Sequence, residues 1–236
     1  MSISNNETEP KKVLVTGASS GIGKEVAKRL VGLKHSVFVT GRDSERLTQI
    51  DGVKGSLSGD LTLPAFVSEL TKTTHTTLGG LDIFIHCAGI GLIRKVKDMT
   101  DLEFVKVTNT NMRATFLIAK EVGEMMSSSG GGRFVYVPGI LGKAAMSGAS
   151  AYCASKFGAV GFLKSMELEY RSKGIQFTYF YFGGVDSPFW DELDMKVMRD
   201  KMIPVSYAAS SIVDAVQCPE HLVTGDVVIQ PQTHQL

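Results

Sequence analysis

Short apolar runs alternate with longer stretches in which apolar residues recur every three or four positions, through most of the chain. The runs at 13–16, 36–40, 55–57, 81–86, 133–137, 175–180 and 227–229 have the length and composition of buried strands. Between them the spacing predicts helices over about 22–33, 43–50, 64–77, 101–127, 150–172 and 206–217. Ile22, Val26, Leu30 and Leu33 form one such helical stripe. Strands that alternate with helices imply right-handed crossovers and a parallel sheet covered on both faces. Ser127-Ser128-Ser129-Gly130-Gly131-Gly132 breaks the long fourth helix from the strand that follows it. There is no internal repeat and no linker long enough to divide domains. The expectation is a polar tail over 1–11 and a single domain over 12–236.

The most specific stretch follows the first strand. Thr16-Gly17-Ala18-Ser19-Ser20-Gly21-Ile22-Gly23 joins the apolar Val13-Leu14-Val15 to a segment of helical spacing. Glycine is required where the chain turns sharply and where a side chain would hold a ligand off the backbone. The amides that open the helix then face an anion, and the helix dipole adds partial positive charge. A strand, a glycine loop and a helix in that order form a site for a nucleotide diphosphate. Far along the chain, Tyr152-Cys153-Ala154-Ser155-Lys156 places a phenol and an ammonium four residues apart. On a helix they share a face and can serve one pocket. A phenol with a pKa of ~10 is a poor acid–base group at neutral pH. A fixed cation favours the phenolate, so Lys156 is expected to lower the pKa of Tyr152. Gly17, Asp60, Ala88, Gly139 and Gly183 all fall at or just after predicted strand ends, where ligands bind in a sheet of this kind.

On these residues the chain resembles the short-chain dehydrogenase/reductase family from about Lys12 to Pro231. The family's Thr-Gly-x-x-x-Gly-x-Gly loop is complete at 16–23, and Asp60-Leu61 matches the pair that holds the adenine. His86-Cys87-Ala88-Gly89 stands where the family usually has Asn-Asn-Ala-Gly, and Asn111 matches its structural asparagine. Phe182-Gly183-Gly184-Val185-Asp186-Ser187 resembles the Pro-Gly segment beside the nicotinamide, with Phe182 in place of proline. The resemblance implies an α/β, Rossmann-like fold: a doubly wound parallel seven-stranded sheet in the order 3-2-1-4-5-6-7 with helices on both faces. It implies a nicotinamide cofactor held by Gly17, Ser19, Ser20, Gly21, Ile22, Gly23, Asp60, Leu61, Ala88, Gly89, Tyr152, Lys156, Val185 and Ser187. Hydride would pass between the nicotinamide and a carbonyl or alcohol carbon. Tyr152 would be the acid–base, Lys156 its pKa perturber and ribose anchor, and Asn111 the holder of a relay water. One departure is large. The family's catalytic serine lies thirteen residues before the tyrosine, where this chain has Gly139.

After the second strand, Thr40-Gly41-Arg42 offers no acid to repel a 2′-phosphate, and the Arg42 guanidinium can make paired, charge-assisted bonds to one. Ser20 can add a donor, Lys24 either assists or stays solvated, and Asp43 could instead pair with Arg42. The expected cofactor is NADP(H). Gly139 has no donor for a developing oxyanion, a loss commonly worth ~3–4 kcal/mol. Three explanations stay open. Ser147 or Ser150 could reach the substrate oxygen, although Ser147 also reads as a helix N-cap. A water could take the missing place. Alternatively catalysis has been lost, and the fold serves as a cofactor-binding regulator or scaffold.

The resemblance places a substrate lid over 188–204, where Phe189, Trp190, Leu193, Met195, Val197 and Met198 would suit an apolar carbonyl or alcohol. Gly139, Ser147, Phe189 and Trp190 are the expected substrate contacts. The lid segment also reads as an amphipathic helix packed on the protein or on a second subunit. Ala154, Phe157, Gly158, Val160, Gly161 and Leu163 suit close packing against another helix or against the sheet, and the resemblance implies a homodimer or homotetramer.

At 236 residues and 43% hydrophobic composition, the chain can bury one substantial core. A net charge of +1 gives no field for nucleic acid or an anionic membrane surface. No apolar run approaches the ~18 residues of a membrane span, and residues 1–11 lack the features of a secretion signal. Cys87, Cys153 and Cys218 have no metal spacing, and their odd number argues against a disulfide framework, which makes a cytoplasmic location the expectation. His35, His75, His221 and His234 show no metal spacing and read as solvent-facing.

Overall fold

The computed structural model describes residues 9–193 and 195–233, so most of the expected tail and His234 lie outside the described residues. The strands are β1 (Lys12–Thr16), β2 (Ser36–Gly41), β3 (Gly55–Ser58), β4 (Ile83–His86), β5 (Gly132–Tyr136), β6 (Ile175–Phe182), β7 (Val185–Asp186), β8 (Ile203–Pro204) and β9 (Asp226–Ile229). Seven form one sheet in the order β3-β2-β1-β4-β5-β6-β9, the order the resemblance implied, and β7 pairs with β8 apart from it. All six pairings in the large sheet are parallel.

A parallel sheet needs cover on both faces, and alternate side chains supply two cores. Leu14, Phe84, Phe134 and Phe177 face one way, under Val67 and Leu70 of α3 (Pro64–Leu78), Ile118 and Val122 of α5 (Ala114–Ser128) and Leu163 of α6 (Ser150–Tyr170). Val13, Val15, Ile83, Ile85 and Val135 face the other way, under Val26 and Leu30 of α1 (Gly21–Gly32) and Ile212 of α7 (Val205–Val216). Leu47 of the short α2 (Ser44–Thr48) closes the second core. The Phe134 ring lies 4.9 Å from that of Phe84 and 4.8 Å from that of Phe177, each contact worth about 0.5–1.5 kcal/mol beyond burial.

Three expectations are corrected here. The helix anticipated over 101–127 is not one α-helix. It begins as α4 (Asp101–Thr108) behind a capping box between Thr100 and Glu103, passes through a π turn at Asn109–Arg113, and resumes as α5. The turn lies where Asn111 is drawn towards Ile90 and Ser155, and such turns gather at functional positions. The described residues of the segment 188–204 form no α-helix. It runs through 3₁₀ turns at Pro188–Glu192 and Arg199–Lys201, and the β7–β8 pair closes its base. Trp190 Nε1 donates to the Val185 carbonyl at 2.8 Å, and Arg199 donates to Asp186 at 3.1 Å and to the Ser187 carbonyl at 3.3 Å. Met195 and Met198 are exposed, not folded under the lid. Finally, His35 is buried, because its Nδ1 accepts the Lys11 amide at 3.1 Å beside the start of β1, whereas His75 and His221 are exposed. Among the described residues no helix is long and apolar enough to cross a membrane, and no cluster of side chains could hold a metal ion.

Candidate active site

A cleft of about 320 Å³ opens beyond the carboxyl ends of the strands, where the strand order reverses between β1 and β4. It is lined by Gly17, Ser19, Ser20, Gly21, Ile22, Gly23, Arg42, Asp60, Leu61, Ala88, Gly89, Gly139, Tyr152, Lys156, Val185, Ser187, Phe189 and Trp190. Of the residues singled out for the site in the sequence, Lys24, Asn111, Ser147, Ser150, Met195, Val197 and Met198 do not line it.

The glycine loop is pressed against the end of β4. Gly17 has φ +68°, and a Cβ there would stand 2.7 Å from the Ala88 amide nitrogen, so no other residue fits without moving the loop. Ser20 occupies the N-cap of α1 but makes no side-chain cap bond, which leaves the first-turn amides free of that partner. A Cβ at Gly41 would lie 2.9 Å from Ser19 Oγ and 3.2 Å from the Ser19 amide nitrogen. A side chain there would have to turn the Ser19 hydroxyl aside and press on the glycine loop. Asp43 is engaged elsewhere: it accepts the Arg46 amide at 3.0 Å to cap α2 and pairs with Arg46 Nε at 3.0 Å. Arg42 is exposed at the cleft and has no ion-pair partner among the described residues. Arg46 also lines the cleft, a residue that the sequence reading missed; its position four residues beyond Arg42 was the available signal. Lys24 bonds Gln49 at 3.0 Å on the surface and does not line the cleft.

At the other end, α6 carries Tyr152 and the buried Lys156 on one face, with Lys156 Nζ 5.8 Å from the Tyr152 ring centre and 5.5 Å from that of Tyr136. The sequence led to a lowered Tyr152 pKa, and the structure reverses it. Burial pushes the phenol above its usual range, and the neighbouring Cys153 adds to the rise. The same burial pushes the Lys156 ammonium down to about 8, partly offset by Cys87. Phe189 stands over the tyrosine, ring centres 6.1 Å apart.

Asn111 is fully buried behind this pair. Its Oδ1 accepts the Ile90 amide at 2.8 Å, and its Nδ2 donates to the Ile90 carbonyl at 2.9 Å and to Ser155 Oγ at 3.0 Å. The side chain is spent on protein contacts. His86 is buried as well, its ring stacked on that of Tyr136 at 5.5 Å, and its pKa is pushed down to about 3 by burial and by the charge of Lys156. It is a neutral imidazole at any physiological pH. The Tyr136 hydroxyl is buried near Thr115 and makes no hydrogen bond of ordinary geometry among the described residues.

Gly139 has φ +73° and ψ 172°, a combination that side chains avoid, although a Cβ there would meet only the Phe182 carbonyl oxygen, at 3.6 Å. There is space for serine but not the backbone for it. Gly139→Ser is therefore expected to destabilise the fold by about 1–3 kcal/mol and to leave turnover no higher; denaturant midpoints and initial rates check both. Ser147 and Ser150 are exposed and outside the cleft, and the N-cap of α6 is Ala149, without a side-chain cap bond. Neither serine replaces the missing donor, and Ser147 caps nothing; Met146 takes the cleft-facing place in that loop.

The cleft thus carries an unpaired guanidinium at one end, a backbone-lined glycine loop in the middle, and a phenol with an ammonium at the other end. That elongated arrangement fits a dinucleotide.

A family model described as short chain dehydrogenase matches residues 11–197. A sepiapterin reductase of Chlorobaculum tepidum is 27% identical over 235 residues, spanning 93% of this chain and 95% of that protein. A 3-oxoacyl-(acyl-carrier-protein) reductase of Rickettsia prowazekii is 32% identical over 187 residues, spanning 79% of this chain and 77% of that protein. The fold is that of an alcohol dehydrogenase from the archaeon Thermococcus sibiricus, solved in complex with 5-hydroxy-NADP, with a TM-score of 0.89 at 19% identity over 97% of this chain and 99% of that one.

Proposed function

The chain belongs to the short-chain dehydrogenase/reductase family of oxidoreductases, and we propose that it is an NADP(H)-dependent enzyme that reduces a carbonyl group in an apolar substrate. The observation that carries this reading is the placement of Tyr152 and the buried Lys156 at one end of a cleft whose other end holds the unpaired Arg42. The family relation supports a nicotinamide cofactor. The preference for NADP(H) rests on Arg42 and on the glycine, in place of an acid, at position 41.

When bound, that cofactor supplies the hydride. Tyr152 keeps its proton because burial raises its pKa, so it serves as the proton donor to the carbonyl oxygen. Lys156 places positive charge next to the tyrosine, where proton loss builds negative charge. Ile90, Ile93, Leu141, Met146, Phe189 and Leu193 line the remaining walls and favour an apolar body on the substrate. Gly139 offers that body open space in place of a hydroxyl.

A homodimer or homotetramer is part of this reading. Leu102, Phe104, Val105, Met112, Phe116 and Phe157 are exposed along α4, the π turn, α5 and α6, and an apolar surface of that extent suits a second copy. The three free cysteines accord with a reducing, cytoplasmic setting. The test is a panel of ketones, aldehydes and alcohols followed by NADPH absorbance. Turnover of an apolar carbonyl supports the reading. Tight NADPH binding with no turnover across the panel overturns it and leaves a cofactor-binding regulator, the reading that Gly139 otherwise favours.

A further inference from the structure

Two buried hydrogen-bond strings meet at Asn111. In one, the Ala88 amide approaches Thr16 Oγ1 at 3.4 Å, Thr16 Oγ1 lies 2.7 Å from His86 Nδ1, and His86 Nε2 lies 2.9 Å from Thr115 Oγ1. Thr115 Oγ1 then donates to the Asn111 carbonyl at 2.7 Å. In the other, Asn111 Nδ2 donates to Ser155 Oγ at 3.0 Å, and Ser155 Oγ donates to the Tyr152 carbonyl at 2.7 Å. Thr16, His86, Asn111, Thr115 and Ser155 are all fully buried, so water does not compete for these bonds.

The donors determine the direction of the first string. The proton of Thr115 is given to Asn111, so its oxygen must accept from His86, and Nε2 carries the proton of the neutral ring. Nδ1 is then an acceptor and takes the proton of Thr16, whose oxygen faces the Ala88 amide. The opposite tautomer would turn the Thr115 proton away from the Asn111 carbonyl towards Nε2 and would leave the Thr16 proton without an acceptor in the string. Asparagine, the residue the family usually has at this position, has a shorter side chain than an imidazole whose two nitrogens reach both hydroxyls here.

We infer that His86, as its Nε2–H tautomer, is a positioning residue that fixes the Asn111 turn, and through Asn111 and Ser155 the start of the tyrosine helix, relative to the cofactor loop at Thr16 and Ala88. The inference rests on the oxidoreductase reading, in which hydride donor and proton donor must hold a set separation. The π turn is the element being held: its Asn111 carbonyl takes a threonine hydroxyl, and its side chain reaches α6.

The test substitutes Thr115, which does not line the cleft. Thr115→Val keeps the shape and removes the hydroxyl; Thr115→Ser keeps the hydroxyl and removes a methyl group. A packing role for Thr115 makes valine at least as good as serine. Positioning makes the reverse order: kcat falls about ten- to a hundredfold in Thr115→Val with KM for NADPH little changed, and Thr115→Ser recovers most of the loss. Valine equal to or better than serine in kcat overturns the inference. A second measurement needs no turnover. Full-length wild-type protein labelled with 15N-histidine, with the His86 resonances assigned by their loss in His86→Asn, should show a protonated Nε2 and a bare Nδ1. A proton on Nδ1 overturns the inference, whether or not a substrate has been found. If the wild-type protein reduces no carbonyl, the functional reading fails and the tautomer alone decides whether the string exists as described.

Discussion

Tyr152→Phe should reduce turnover by about a hundred- to ten-thousandfold, the usual worth of a positioned proton donor. The change removes one oxygen and keeps the ring that packs beneath Phe189. No protein group hydrogen-bonds the Tyr152 hydroxyl among the described residues, so the substitution leaves no buried partner stranded and should not alter the unfolding midpoint. NADPH affinity, followed by nicotinamide fluorescence, should stay close to that of the wild-type protein, because the glycine loop, Arg42 and Lys156 remain. The combination is the signature of a group that acts only in the chemical step. A loss below about tenfold would show that the substrate oxygen takes its proton from another group.

Arg42→Ala should weaken NADPH binding by about ten- to over a hundredfold while affecting NADH far less. Only the former carries the 2′-phosphate, and the loss of one charge-assisted contact costs roughly 1.5–3 kcal/mol. Arg46 tempers the estimate, since it lines the same end of the cleft, but its guanidinium already pairs with Asp43 at 3.0 Å. Dissociation constants for both cofactors, measured at one fixed salt concentration, decide the matter. Equal weakening of the two would mean that Arg42 does not read the phosphate.

What could be read in the sequence was whatever depends on near neighbours. Buried strands announce themselves as short apolar runs, the glycine loop as a run of eight residues, and the Tyr152–Lys156 pair as one turn of helix. The π turn stayed hidden because one inserted residue leaves the apolar spacing on either side intact. Its cause lies in the contacts of Asn111 with Ile90 and Ser155, 21 and 44 residues away. The partners of His86 are equally remote, at separations of 70 and 29 residues. The Tyr152 pKa went the wrong way because spacing establishes that Lys156 is near but not how much water either group loses. Ser147 illustrates the converse: five residues from the tyrosine, yet carried out of the cleft by the loop that precedes α6. Arg42 and Gly41 were readable because both sit at the end of β2, where strand topology alone points them at the ligand.

The two-residue pairing of Val185 with Ile203 and Asp186 with Pro204 makes the lid a closed loop with its own foot. Changes in length or chemistry between those residues are absorbed within the loop and do not reach β6, since extending a closed loop costs little. The foot itself stands on Val185 and Ser187, at the reactive end of the cleft, and Arg199 ties it down from inside the lid. The coupling that remains runs through Phe189, whose ring stands 6.1 Å from that of Tyr152, so the loop meets the tyrosine by one side chain while its ends are held by the foot.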